Sequence, residues 1–336
     1  MQFSRRGPAR RRPFFSVAAC LLALLSPVLA LLSPLLALLQ STPAEAAPAE
    51  RTVLAVVACD GYADLKQQLG WLGNQIDNPG LAGMVESVLM LATQGRGLTG
   101  LDVKRPFGVV VTTDGRDVAA HGFVPVKDLD KLLDSLQGVT GPVDRAEGTR
   151  GITLPSGLGL SIAEKNGWAL LSPRGVEADI ADPMPLIGPL AEKYSLAVET
   201  FPSRMPEPVR ARLKALLEQA AATSAEQGQP MDADALLAAV DGLRDTESLT
   251  FGLAVEGNEN RVFLENRTVA VPGSPIAAAM AGEAAGQLTV ATPAAADGRP
   301  PAFRLYAAQS VPDEWRKQAE ELLARSLPTD GGDRGD

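Results

Sequence analysis

In 336 residues the chain sets 40 acidic against 31 basic side chains, a formal net charge of −9. Such a surface repels phosphate backbones and anionic headgroups, which excludes nucleic acid as a partner and makes a charged bilayer face a poor one. One histidine and two cysteines, of which only Cys59 lies beyond the first 46 residues, leave too few ligands for a His/Cys metal cluster within one mature chain, and 46% hydrophobic residues supply enough apolar surface for a packed core.

Arg5, Arg6, Arg10, Arg11 and Arg12 precede an apolar run from Phe14 to Leu39, and Pro43-Ala44-Glu45-Ala46-Ala47 follows. Basic start, apolar middle and small residues at a cleavage point are the parts of an export signal, so residues 1–46 read as a signal peptide cleaved after Ala46 or Ala47. The apolar run is long enough to cross a bilayer, and an uncleaved N-terminal membrane anchor is the alternative. Ser26-Pro27 and Ser33-Pro34 weaken a continuous helix there. Arg11-Arg12-Pro13-Phe14-Phe15 is similar to a twin-arginine signal, for which plain charge before an apolar run is the preferred reading. Val17-Ala18-Ala19-Cys20 is similar to a lipoprotein box, but only Phe14 to Val17 separates it from the arginines and the long apolar run lies after it, which disfavours lipidation. Either route exports the protein to a periplasmic or extracellular location. Cleavage takes five arginines and Glu45 with it and leaves 26 basic and 39 acidic residues, a formal net charge of −13. Cys59 is then alone, and no intrachain disulfide is expected.

Val53 to Val57 is a β-branched run and reads as a buried strand. Leu65, Leu69, Leu72 and Ile76 recur at helical spacing, and Asn78-Pro79-Gly80 breaks that helix. Leu81 to Leu91 is apolar nearly all round, which predicts a helix buried on most sides. Val109 to Val111, Asp114-Gly115 and Val118 to Val124 form a hairpin pattern. Asp128 is placed to cap a helix with Leu129, Leu132, Leu133 and Leu136 on one face. Leu158 to Ala163 and Trp168 to Leu171 flank Asn166-Gly167 as a second hairpin. Leu196 to Val198 predicts a strand. Pro206 opens a helix from Glu207 to about Gln227, with Val209, Leu213, Leu216, Leu217 and Ala220 as its stripe. Another helix carries Leu236, Leu237, Val240 and Leu243 behind Asp232 as a cap. Leu249 to Val255 and Val262 to Val271 make a third hairpin around Gly257-Asn258-Glu259-Asn260.

Hairpins joined to helices predict an α+β fold: a mainly antiparallel sheet built from hairpins and covered by amphipathic helices on one face. The globular domain spans 47–281. Residues 282–302 read as an Ala/Gly/Pro-rich linker, 303–327 as a strand-helix fragment and 328–336 as a disordered tail. Met205-Pro206-Glu207-Pro208-Val209-Arg210 is echoed by Val311-Pro312-Asp313-Glu314-Trp315-Arg316, so 303–327 is also readable as a truncated second repeat. Pro-acidic helix starts are common, and that plain reading has equal weight.

Chemistry is sparse. His121 lies mid-strand, where a partly exposed sheet histidine is expected, and no Gly-x-Ser-x-Gly elbow occurs. Cys59 follows an apolar run and reads as an inert thiol. Asp128/Asp130 and Asp232/Asp234 stand at helix starts and lack the ligand spacing of a calcium loop. Gly157-Leu158-Gly159 lacks the lysine of a phosphate loop. Arg204, Arg210, Arg212 and Lys214 gather near one helix start, as an anion site or a solvated face, the latter preferred. Trp71, Trp168 and Trp315 each fall in apolar-patterned elements and suit packing. No residue is assigned a catalytic, cofactor-binding or metal-binding role, and no cofactor is implied.

Asp60-Gly61-Tyr62-Ala63-Asp64-Leu65, Thr93-Gln94-Gly95-Arg96-Gly97-Leu98, Gly100-Leu101-Asp102-Val103-Lys104-Arg105-Pro106-Phe107-Gly108 and Ala270-Val271-Pro272-Gly273-Ser274-Pro275 together resemble a family of exported, signal-peptide-bearing planctomycete proteins, over roughly residues 52–280. That family has no established activity, so the resemblance carries over no functional residues; its members tend to be longer. The inventory favours a non-enzyme: an envelope scaffold or interaction module with a protein or cell-envelope partner, touching membrane only through an uncleaved N-terminal segment. The alternatives are a binder of a small apolar or lipidic ligand and a hydrolase using carboxylates alone.

Overall fold

A computed structural model describes residues 51–76, 78–146, 149–153, 159–177, 180–226 and 233–282. The export segment, the linker, the strand-helix fragment, Trp315 and the caps and turns at Gly157 and Asp232 lie outside the described residues. The chain divides into two units, Met1–Val271 and Pro272–Asp336. The second contributes one described helix.

Ten strands form one sheet. In chain order they are β1 (Thr52–Cys59), β2 (Phe107–Thr113), β3 (Val118–Pro125), β4 (Asp144–Ala146), β5 (Thr149–Thr153), β6 (Gly159–Lys165), β7 (Trp168–Pro173), β8 (Leu196–Thr200), β9 (Thr246–Glu256) and β10 (Arg261–Ala270). The helices are α1 (Tyr62–Gln75), α2 (Leu81–Ala92), α3 (Leu129–Thr140), α4 (Met184–Ala191), α5 (Glu207–Glu226), α6 (Ala233–Gly242) and, in the second unit, α7 (Pro275–Gly282). The sheet order is β10-β9-β8-β1-β2-β3-β7-β6-β5-β4. Every neighbouring pair is antiparallel. The α+β, antiparallel, hairpin-built reading is the observed fold.

The expected hairpins form where turn chemistry marks them. Asp114 Oδ1 accepts from the backbone N–H of Arg116 and Asp117 between β2 and β3. Asn166 and Gly167 both take positive φ, 54° and 73°, between β6 and β7, as a tight hairpin turn requires. Asn260 closes the β9–β10 turn in the left-handed region. Asp128 caps α3 as expected, accepting from Lys131 N–H at 3.0 Å.

Helices lie on both faces of the sheet, where one face was expected. Side-chain parity shows it. Val110 and Phe123 join Trp168, Leu170 and Ile187 of α4 in one buried cluster. Their strand neighbours Val109 and Val111 pack with Val209 and Leu216 of α5 on the opposite face. On that second face α3 supplies Leu129, Leu132 and Leu133 against Ile162 and Ala169. α4 escapes a sequence reading because Pro183, Pro185 and Pro189 look like loop residues, yet Ile187 at its middle is fully buried.

The first unit also repeats itself. β1, α1, α2, β2, β3 is matched in chain order by β8, α5, α6, β9, β10. In the sheet, β3-β2-β1 and β10-β9-β8 flank the β1–β8 seam symmetrically. The repetition thus begins at β1 and β8; the Pro312 half of the sequence echo lies outside the described residues.

α5 tests the packing. Val209 and Leu213 are buried, while Leu216 and Leu217 are half-buried and Ala220 is exposed, Ala221 taking the inward position. Arg210, read from sequence as solvated, is 4% exposed and donates to Met205 O. Leu213→Ala is expected to cost about 2–4 kcal/mol through lost transfer energy and a cavity. Arg212, exposed and paired with Asp117, should cost under about 1 kcal/mol as alanine. Urea melts decide it; equal costs would mean that α5 is not packed on the sheet.

Candidate functional site

The residues singled out from sequence do not converge on chemistry. His121 is fully buried, not partly exposed: its Nε2 lies 3.2 Å from Thr112 Oγ1 and its Nδ1 2.9 Å from Ser172 Oγ. β2, β3 and β7 place these three side chains on one face, so the ring bridges strands. Burial, with a lesser push from the Arg51 charge, lowers its pKa to about 4, which keeps it neutral. Cys59 is half-buried, and burial together with the Asp60 charge pushes its thiol up to about 11. A thiol held protonated at neutral pH is a poor nucleophile. Burial also raises the Asp60 carboxyl, although Gln68 donates to it at 2.7 Å.

Asp128 is engaged by the α3 backbone and by Lys131 at 2.8 Å. Asp130 takes both Arg150 donors at 2.9 Å, and that pairing holds its carboxyl below its ordinary value. The basic residues at the start of α5 disperse: Arg204 stacks over Phe201, Arg210 turns inward, Arg212 reaches Asp117, and Lys214 pairs with Asp241 at 2.6 Å. They form no shared anion site. Trp168 sits fully buried beneath the Arg105 guanidinium, 4.1 Å from its ring centroid, and Trp71 Nε1 donates to Asn260. Among the described residues no group of three or more His, Cys, Asp or Glu side chains is placed to hold a metal ion. No described helix is long and apolar enough to cross a membrane.

Among the described residues, open grooves indent the surface. One, about 440 Å³, runs between α4 and the β8–β10 half of the sheet. Leu186, Leu190, Tyr194 and Phe201 line its apolar side. Two ion pairs edge it, Lys193 with Glu265 at 2.7 Å and Arg267 with Glu199 at 3.6 Å, while its other cation, Arg204, stacks over Phe201. Another, about 320 Å³, lies where the end of α2 meets α3.

α2 itself is the feature the sequence reading missed. It was expected to be buried on most sides; it has no buried residue. Met84 is 58%, Val88 63% and Leu91 81% exposed, at i, i+4 and i+7, with Val85 beside them at 42%. That spacing forms one apolar stripe. Glu86 is the one charged residue of the helix, and Lys66 of α1 engages it at 2.7 Å. The stripe is held firmly. At the C-terminus Thr93, 1% exposed, donates through Oγ1 to Leu89 O and accepts from Gly97 N–H. Gly138 of α3 lies so near Ala92 O that a β-carbon there would sit 2.6 Å from it. At the N-terminus Leu81 rests on Gly73 of α1. Hydropathy reports that α2 avoids water but not what covers it.

No protein-family model, no curated protein and no solved structure matches the chain.

Proposed function

We propose that the chain is a non-enzymatic interaction module exported to the cell envelope, as the resemblance to exported planctomycete proteins also implies, and that α2 is its contact element for a protein partner. The observation that carries this is the stripe Met84, Val85, Val88 and Leu91, apolar and exposed on a helix anchored at both ends. Exposed apolar stripes on acidic proteins mark partner contacts, because leaving them in water forgoes the burial energy of several large side chains.

Val88→Glu with Leu91→Lys tests it. Both sites are exposed, so the melting temperature should hold, within about 0.5 kcal/mol of stability. The chain's sedimentation in an envelope extract should shift to a smaller species. Unchanged sedimentation, or loss of the fold, would refute the assignment. A second reading, a binder of a small apolar or lipidic ligand, draws on the α4 groove, where Arg204 beside Phe201 would meet an anionic head. That reading predicts no response to the α2 substitutions.

A further inference from the structure

We propose that β10 is a homotypic docking edge, on which a second copy of this chain adds its own β10 antiparallel to continue the sheet. The two sheet edges differ in kind. β4 ends the sheet with three residues, the short strand by which proteins blunt an edge. β10 ends it with ten, Arg261 to Ala270, without proline or lysine, and its pairing to β9 runs regularly from Arg261 to Val269. Its equivalent across the β1–β8 seam, β3, has its outer edge paired by β7. Among the described residues no strand pairs with the outer edge of β10. A long, regular, unpaired edge is a template for strand addition.

The side chains select a second copy. A two-fold axis normal to the sheet pairs identical antiparallel strands only in registers that set one residue opposite itself. Centred on Glu265 or Arg267, such a register sets like charges face to face, which destabilises a cross-strand pair. Centred on Asn266, it sets Glu265 opposite the second copy's Arg267, twice by symmetry. It also sets Leu264, 43% exposed, against Thr268, and Phe263 against Val269. The amide of Asn266 meets its own copy at the axis, where each can donate and accept. Glu265 and Arg267 keep their contacts with Lys193 and Glu199 in the same sheet face. The proposal does not depend on α2.

Single cysteines in the full chain, with Cys20 and Cys59 replaced by serine, read the register under mild oxidation in the envelope. Asn266→Cys should give a covalent dimer, since directly opposed residues stand within disulfide reach. Leu264→Cys alone should give none, because its two copies would lie about 13 Å apart along the strands. Mixed with Thr268→Cys chains, it should crosslink. Glu265→Arg should lower the Asn266→Cys dimer several-fold, and adding Arg267→Glu should restore it. No dimer from Asn266→Cys, or dimers of equal yield from every position, would overturn the proposal.

Discussion

Gly100→Ala is expected to cost about 3–5 kcal/mol, a large share of the stability of an ordinary domain. Gly100 has φ of 92°, and its carbonyl accepts from Lys127 N–H at 2.8 Å and Asp128 N–H at 3.2 Å. It is the seat on which α3 starts. A β-carbon there would lie 2.2 Å from Asp128 O and 2.7 Å from Leu132 N, both backbone atoms that cannot swing aside. The substitution therefore combines left-handed backbone strain, about 1–2 kcal/mol, with a displaced helix start. Gly115→Ala separates the two costs. Its φ is 98°, but open space surrounds it, so only the backbone cost remains. Denaturant melts should place Gly100→Ala well below Gly115→Ala. Equal losses would show that α3 does not rest on Gly100.

Acid should unfold the protein partly through His121. Its unfolded pKa is about 6.5, and burial takes the folded value to about 4. Above pH 6.5 both states are neutral at this residue, and stability does not depend on it. Between pH 6.5 and 4 the unfolded chain binds a proton that the fold refuses, so stability falls as pH falls. The loss approaches about 3 kcal/mol near pH 4 and levels off below it. Carboxylates held low by their partners, such as Asp114 and Asp130, add losses further into acid. The comparison with His121→Gln removes them: the variant should lack the slope between pH 6.5 and 4 and keep the acid losses. Parallel curves for the two proteins would mean that the imidazole is hydrated in the fold.

The strands were legible where turn chemistry punctuates them. Asp114-Gly115, Asn166-Gly167 and the Gly257–Asn260 turn fix local backbone, so β2–β3, β6–β7 and β9–β10 follow from short-range pattern. β4 and β5 did not, since Asp144–Ala146 and Thr149–Thr153 are short and polar, and their pairing is set by the neighbouring strand. α4 was hidden by its prolines. At α2 the elements were read correctly and the burial was not. A window of apolar residues reports transfer free energy, which is the same whether the cover is the chain's own sheet or another molecule. Arg210 fails in the opposite direction, a charge whose stem and head the fold takes in. The repetition about the β1–β8 seam was invisible at the residue level because topology, not sequence, carries it.

A photo-reactive amino acid at Val88 in the full chain, irradiated in intact cells, tests the α2 assignment most directly. A discrete protein adduct is expected from Val88 and from Leu91 and none from Arg116, an exposed turn residue. No adduct at Val88, adducts with lipid alone, or the same adduct from Arg116 would contradict the assignment.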